Sequence, residues 1–189
     1  MQLKKIYEVI KKNEKLSFWE FFDVLKIDHD MKSYMHDKWV VWHNNHTKGA
    51  ILNLLKNPIF KTISHLELFF DIKFGKHTNR MEKLATLNEF EQFLESNIDL
   101  YRGGRDEYIP AYKGKSFVSF TTSLNRLSTF SEYDGSYASS AYMLDKNKHY
   151  WQVKLNIKVK DILLYLDVMD CEAIVTVKDA LKAKLIKQT

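Results

Sequence analysis

The sequence predicts an α+β protein: a helical N-terminal region over residues 1–97, then a small mixed or antiparallel β core over residues 98–189. Two observations carry that expectation. Before Asn97 the apolar residues recur at helical spacing, and after it the period shortens toward two. With six Gly and two Pro in 189 residues, there is also little material for linkers. A dinucleotide-binding doubly wound sheet is disfavoured, because no GxGxxG follows a strand and strands do not alternate with long helices. No GxxxxGK[ST] phosphate loop is present.

In the first region, Ile6, Val9 and Ile10 form the stripe of a short helix. Leu16–Ile27, with Phe18, Trp19, Phe21, Phe22, Val24 and Leu25, is apolar nearly all round and predicts a buried helix. Tyr34–His46 and Ala50–Leu55 continue in helical style. The latter stops at Asn57-Pro58, since the residue before proline is pushed out of the helical region. Ile59–Phe74, with Ile63, Leu66, Phe69 and Phe70 on one stripe, ends near Gly75, and the polar stretch Lys76–Lys83 predicts a loop. Thr86-Leu87-Asn88-Glu89 fits a capping box, opening a helix that buries Leu87, Phe90, Phe93 and Leu94.

In the second region, Ile98–Arg102 alternates as a strand and is expected to break at Gly103-Gly104; Glu107–Lys115 follows as a loop. Phe117–Phe120 reads as a strand ending in the hydroxyls of Thr121, Thr122 and Ser123. Leu124, Leu127 and Phe130 then predict a helix with Ser123 at its N-cap. Ser131–Ala141 is rich in small residues and reads as a loop. Val153, Leu155, Ile157 and Val159 alternate with Lys154, Asn156, Lys158 and Lys160, a half-buried strand. Asp161–Leu166 extends apolar, Asp167–Asp170 is a polar turn, Glu172–Val177 is a last strand, and Val177–Leu185 a closing short helix.

Composition narrows the function classes. An apolar fraction of 45% with 14% aromatics describes a globular chain. The single cysteine, Cys171, permits no internal disulfide and points to a reducing compartment. No apolar run nears the ~18–20 residues of a membrane span, and the opening MQLKKIYEVIKKNEK lacks a signal-peptide core. A soluble, cytoplasmic protein is expected. Residues 1–99 carry 15 Lys+Arg against 14 Asp+Glu, and residues 100–189 carry 14 against 10. A basic second half suits an anionic ligand or nucleic acid, although lysines on solvated strand faces give the same sum.

Arg102, beside Gly103 and Gly104, has the chemistry to hold phosphates in a bidentate way, with glycines permitting close backbone approach; pairing with Asp99 or Asp106 is the plainer reading. Thr121, Thr122 and Ser123 at a strand end present N–H and O–H groups to an anion. Glu172 opens an apolar strand, where a carboxylate meets a partly desolvated site or is a strand-edge charge. His36, His43 and His46 cluster, with His43 and His46 about one helical turn apart. Asp37 is the only carboxylate nearby, so surface or packing roles outweigh a metal and none is expected. Cys171 lacks the partner pattern of a thiol nucleophile.

Taken in order over Asp99–Val177, an Arg on a first strand, a Thr-Thr-Ser strand end and a late Glu opening a strand resemble the Arg–Ser–Glu class of ADP-ribosyltransferases. The resemblance implies an α+β catalytic core of that type with NAD as substrate and no metal. Arg102 and Gly103 would meet the pyrophosphate; Thr121, Thr122 and Ser123 would brace the nicotinamide-ribose pocket and orient the catalytic glutamate. Phe130 and Tyr112, with Phe117 and Tyr108, are candidates for stacking on nicotinamide. Glu172 would hydrogen-bond the ribose 2′-hydroxyl and stabilise an oxocarbenium-like transition state. Two positions depart from the family pattern. Thr121 replaces the first serine and keeps its hydroxyl, and Asp170 stands where the family has the acceptor-positioning Glu or Gln. The implied activity is mono-ADP-ribosyl transfer to a protein, RNA or DNA acceptor, in a toxin, defence effector or phage-encoded modifier with an antitoxin or immunity partner. Asp170 keeps open an inactive transferase-like binding module; charge and aromatic content keep open a nucleic-acid-binding helical protein.

Overall fold

A computed structural model of the chain describes residues 9–30, 48–75, 79–105, 112, 116–123, 150–166 and 172–188. It divides between Ser96 and Asn97 into two units. The architecture is α+β with antiparallel sheets.

The first unit contains helices α1 (Phe18–Val24), α2 (Lys48–Leu55), α3 (Pro58–Phe74) and α4 (Leu87–Glu95), with a 3₁₀ turn at Arg80–Glu82. Residues 9–13 are helical as well. Helix α1 is shorter than the apolar run around it. Leu16 lies instead in β1 (Lys15–Leu16), which pairs antiparallel with β2 (Ala85–Thr86). Ser17 then caps the helix, accepting from Glu20 N while donating its own N–H to Glu20 Oε2 at 2.6 Å. Thr86 and Glu89 make the expected capping box on α4, with Thr86 N donating at 2.7 Å and Glu89 N donating to Thr86 Oγ1 at 3.1 Å. Helix α3 starts from Asn57, whose side chain accepts from Ile59 N, with Pro58 in the first turn. It ends at Gly75, whose φ of 88° suits a residue without Cβ.

The interior of this unit is aromatic. Phe21 meets Phe69, Phe70 and Phe90, at ring-centroid distances of 6.3, 5.8 and 5.8 Å, all edge-on, and is fully buried. Against this core, α3 buries Glu67 and Asp71 near a single guanidinium. Arg80 donates to Asp71 at 2.6 Å, lies 3.7 Å from Glu67 and sits over the Phe18 ring. That pairing offsets part of the cost of burying the two carboxylates.

The second unit is a six-stranded antiparallel sheet: β3 (Asn97–Arg105), β4 (Phe117–Thr121), β5 (Tyr150–Lys158), β6 (Leu164–Leu166), β7 (Glu172–Thr176) and β8 (Lys184–Gln188). Its spatial order is β6-β7-β4-β3-β5-β8. Leu100 lies opposite Leu155 and Ile98 opposite Ile157, while Asp99 faces Asn156 and Tyr101 faces Lys154. The alternation read in β5 therefore separates a buried row from a polar one.

Three expectations are corrected here. Strand β3 does not break at Gly103-Gly104 but runs to Arg105, because all nine of its residues pair with β5. Strand β5 ends at Lys158, and Val159–Asp161 form a 3₁₀ turn before the short strand β6. Helix α5 closes after four residues, Val177–Ala180, and the chain then returns to the sheet as β8, paired with β5. The expected helix at Tyr34–His46, the helix at Leu124–Phe130, the loop at Ser131–Ala141 and the turn at Asp167–Asp170 lie outside the described residues. So does the loop at Glu107–Lys115, apart from Tyr112. Among the described residues, no helix is long and apolar enough to cross a membrane.

Candidate functional site

The sheet of the second unit is joined at its middle by very little. Strands β3 and β4 are neighbours, yet they pair through one position, Tyr101 opposite Thr121. Arg102–Arg105 and Phe117–Phe120 belong to adjacent strands and do not pair with each other. The ladder therefore opens into two three-stranded halves, β6-β7-β4 and β3-β5-β8.

Arg102 occupies that opening. It stands opposite Val153 on β5, so alternation roots it on the apolar face with Leu100 and Leu155. Its Nη1 donates 2.6 Å to the carbonyl oxygen of Ser119 on β4. A hydrogen bond to a neighbouring strand's main chain holds the guanidinium at the level of the sheet, where a side chain spans what the backbone leaves unpaired. Its Nε–H is buried without a hydrogen-bond partner among the described residues. Burial lowers the guanidinium pKa, while the Tyr112 phenol and the Glu172 carboxyl act in the opposite sense. At neutral pH the group remains a cation. A largely buried cation with one directed donor that no described residue uses is suited to an incoming anion.

The hydroxyl run lies across the gap. Thr121 is buried and lies opposite both Tyr101 and Glu172, the first residue of β7. Its Oγ1 accepts from Ser123 N at 3.2 Å, which folds the backbone back just past the end of β4. Thr122 and Ser123 are half-buried. The expected N-cap role of Ser123 rests on a helix outside the described residues. Continuing the register gives one row across four strands: Lys154, Tyr101, Thr121 and Glu172. Lys154 is held by Asp99 at 2.7 Å. That contact and Asn156 keep the Asp99 carboxyl below its usual range. Asp99, which sequence offered as a partner for Arg102, is thus engaged on the opposite row.

Thr121 and Glu172 thus share a row on the face opposite the one in which Arg102 is rooted, while the Arg102 guanidinium, at the level of the sheet, lies in the field of Tyr112 and Glu172. Gly103 is next along β3, opposite Gln152. The hydroxyl of Tyr112 is buried. Phe130, Tyr108, Asp170 and Cys171 lie outside the described residues, as do His36, His43 and His46. Among the described residues, no group of three or more His, Cys, Asp or Glu side chains is placed to hold a metal ion. Two participants were not foreseen. Tyr101 joins the row with Thr121, and period-two alternation beside Arg102 was the signal for it. The Ser119 carbonyl is main chain, and no residue type announces it. No protein-family model, curated protein or solved structure matches the chain.

Proposed function

We propose that the chain is an NAD-dependent mono-ADP-ribosyltransferase that passes ADP-ribose to a macromolecular acceptor and releases nicotinamide. One observation carries this reading. An arginine, a hydroxyl run and a glutamate, far apart in the chain, lie on three neighbouring strands, with Thr121 and Glu172 in register and the Arg102 guanidinium, rooted on the other face, in the field of Glu172. In this reading Arg102 binds the pyrophosphate, its buried Nε–H supplying a donor that no described protein group uses. Thr121–Ser123 shape the ribose pocket. Glu172 accepts a hydrogen bond from the ribose hydroxyl and stabilises positive charge as the glycosidic bond breaks. Nicotinamide leaves with the bonding electron pair; the acceptor nucleophile attacks the anomeric carbon and gives up its proton. A fixed carboxylate placed where cationic charge develops acts on the transition state more than on the ground state.

The test is nicotinamide release from labelled NAD by the purified chain with cell lysate present, comparing wild type with Glu172→Gln. Release and label transfer should fall about 10²–10³-fold in the variant, the cost of removing one preorganised electrostatic group. Protease and nuclease digestion of the labelled product names the acceptor class. Absence of release, with no rise in melting temperature on adding NAD, overturns the reading in favour of a non-catalytic binding module.

A further inference from the structure

Strand β8 ends the sheet order and, among the described residues, is hydrogen-bonded to β5 on one side only. An edge strand presents a row of backbone donors and acceptors to another chain. In the unit Asn97–Thr189, every exposed large hydrophobic among the described residues lies on β8 or in the turn leading into it. These are Leu181, Leu185 and Ile186, 54%, 44% and 48% exposed. Charge is equally local: Lys178, Lys182, Lys184 and Lys187 stand against Asp179 alone between Val177 and Gln188. Asp179 is engaged by Lys182 at 2.6 Å. The neighbouring strand offers no compensation, since Lys184 stands opposite Lys154, which is already held by Asp99.

Two features of this edge work against a second copy of the same chain. Its register against β5 shifts between Gln152 and Val153, and such irregularities twist an edge away from continuous self-pairing. Pairing β8 with itself would also bring lysines against lysines. An acidic strand removes the second objection, setting carboxylates rather than lysines against this edge. Leu185, opposite Val153 on the apolar row, offers its side an apolar neighbour, and Lys184 on the other row offers a cation.

We infer that β8 is a docking edge for an extended acidic segment of a partner protein, added to the sheet as a further strand with apolar and acidic side chains alternating. Main-chain bonds would supply affinity, and the alternation specificity. This surface is separate from the residues of the proposed transferase reading and stands or falls without it.

The full chain is titrated by fluorescence anisotropy with three labelled peptides. The first alternates Glu with Val and Thr; the second keeps the glutamates but replaces Val and Thr with Ser and Gly; the third replaces Glu with Lys in the first. The first should bind, the second about tenfold or more weakly, and the third not at all. Hydrogen exchange of the amides at 184–188 should slow with the first peptide. Lys184→Glu combined with Lys187→Glu should weaken the first peptide by about tenfold or more and admit the third. Equal binding of both acidic peptides, unprotected 184–188 amides in the wild type, or unchanged preference in a folded charge-reversed variant overturns the inference. So does concentration-dependent dimerisation that protects the same amides without peptide, which would make the occupant a second copy. The exchange arm uses wild-type protein and is decisive even where the double variant does not fold.

Discussion

Arg102→Met separates a guanidinium kept for a ligand from one kept for the fold. The substitution removes the charge-assisted bond from Nη1 to the Ser119 carbonyl, a group that contributes about 1.5–3 kcal/mol in typical proteins. It also removes two burdens of the folded state. One is the Nε–H, buried without a hydrogen-bond partner among the described residues, worth about 1–3 kcal/mol in the opposite direction. The other is the desolvation that lowers the Arg102 pKa, which means that folding disfavours the charged form. Methionine keeps an unbranched apolar stem on the row that carries Leu100 and Val153. These terms nearly cancel, so the variant should lie within about 1 kcal/mol of wild type, a melting shift of no more than about 4–8 °C. Saturating NAD at about a hundredfold excess over its dissociation constant should stabilise the wild type by about 2.7 kcal/mol, and the variant not at all. Differential scanning calorimetry with and without NAD reads both quantities. A loss of more than about 3 kcal/mol without ligand would show that the fold needs the guanidinium. An undiminished NAD shift in a folded variant would remove Arg102 from ligand binding.

Two further outcomes concern the first unit. Phe21→Ala should cost about 3–5 kcal/mol in urea denaturation, because the ring is fully buried and edge-packed against Phe69, Phe70 and Phe90. A cost below about 1 kcal/mol would mean that the site collapses around the deletion. The Glu89 carboxyl is held below its usual range first by Lys73 and then by the Thr86 backbone N–H. A carboxylate with a lowered folded-state pKa contributes stability above its unfolded value, lost as pH falls through the folded one. The gap between wild type and Glu89→Gln, of about 0.5–1 kcal/mol at neutral pH for so exposed a pair, should therefore close below about pH 4. A gap that widens on acidification would refute the assignment.

Sequence reading succeeded where one local pattern decided the outcome. The Thr86–Glu89 box, the stop of the Ala50–Leu55 helix before Asn57-Pro58 and the alternation from Val153 to Ile157 each needed only neighbours along the chain. The Ser17-x-x-Glu20 box was equally legible, but the surrounding hydrophobicity of Leu16–Ile27 concealed it. Other features depended on distant partners. Two glycines continue β3 because β5 supplies a full-length ladder, overriding their weak strand preference. The irregular register around Val153 breaks the alternation of β8, so a short Lys-rich segment after α5 gave no strand period. At the site, Arg102 and Glu172 could be picked by residue type, whereas the parting of β3 from β4 belongs to pairing alone.

That parting has a practical consequence. A gap framed by two backbones should not close when one side chain beside it is exchanged, since position 172 lies on β7 and the parting is between β3 and β4. Under the proposed transferase reading, chemistry and capture can then be uncoupled: a Glu172→Gln protein should still hold the acceptor that it no longer modifies. Coupled to a solid support, it becomes bait that retains its target long enough for that target to be eluted and sequenced.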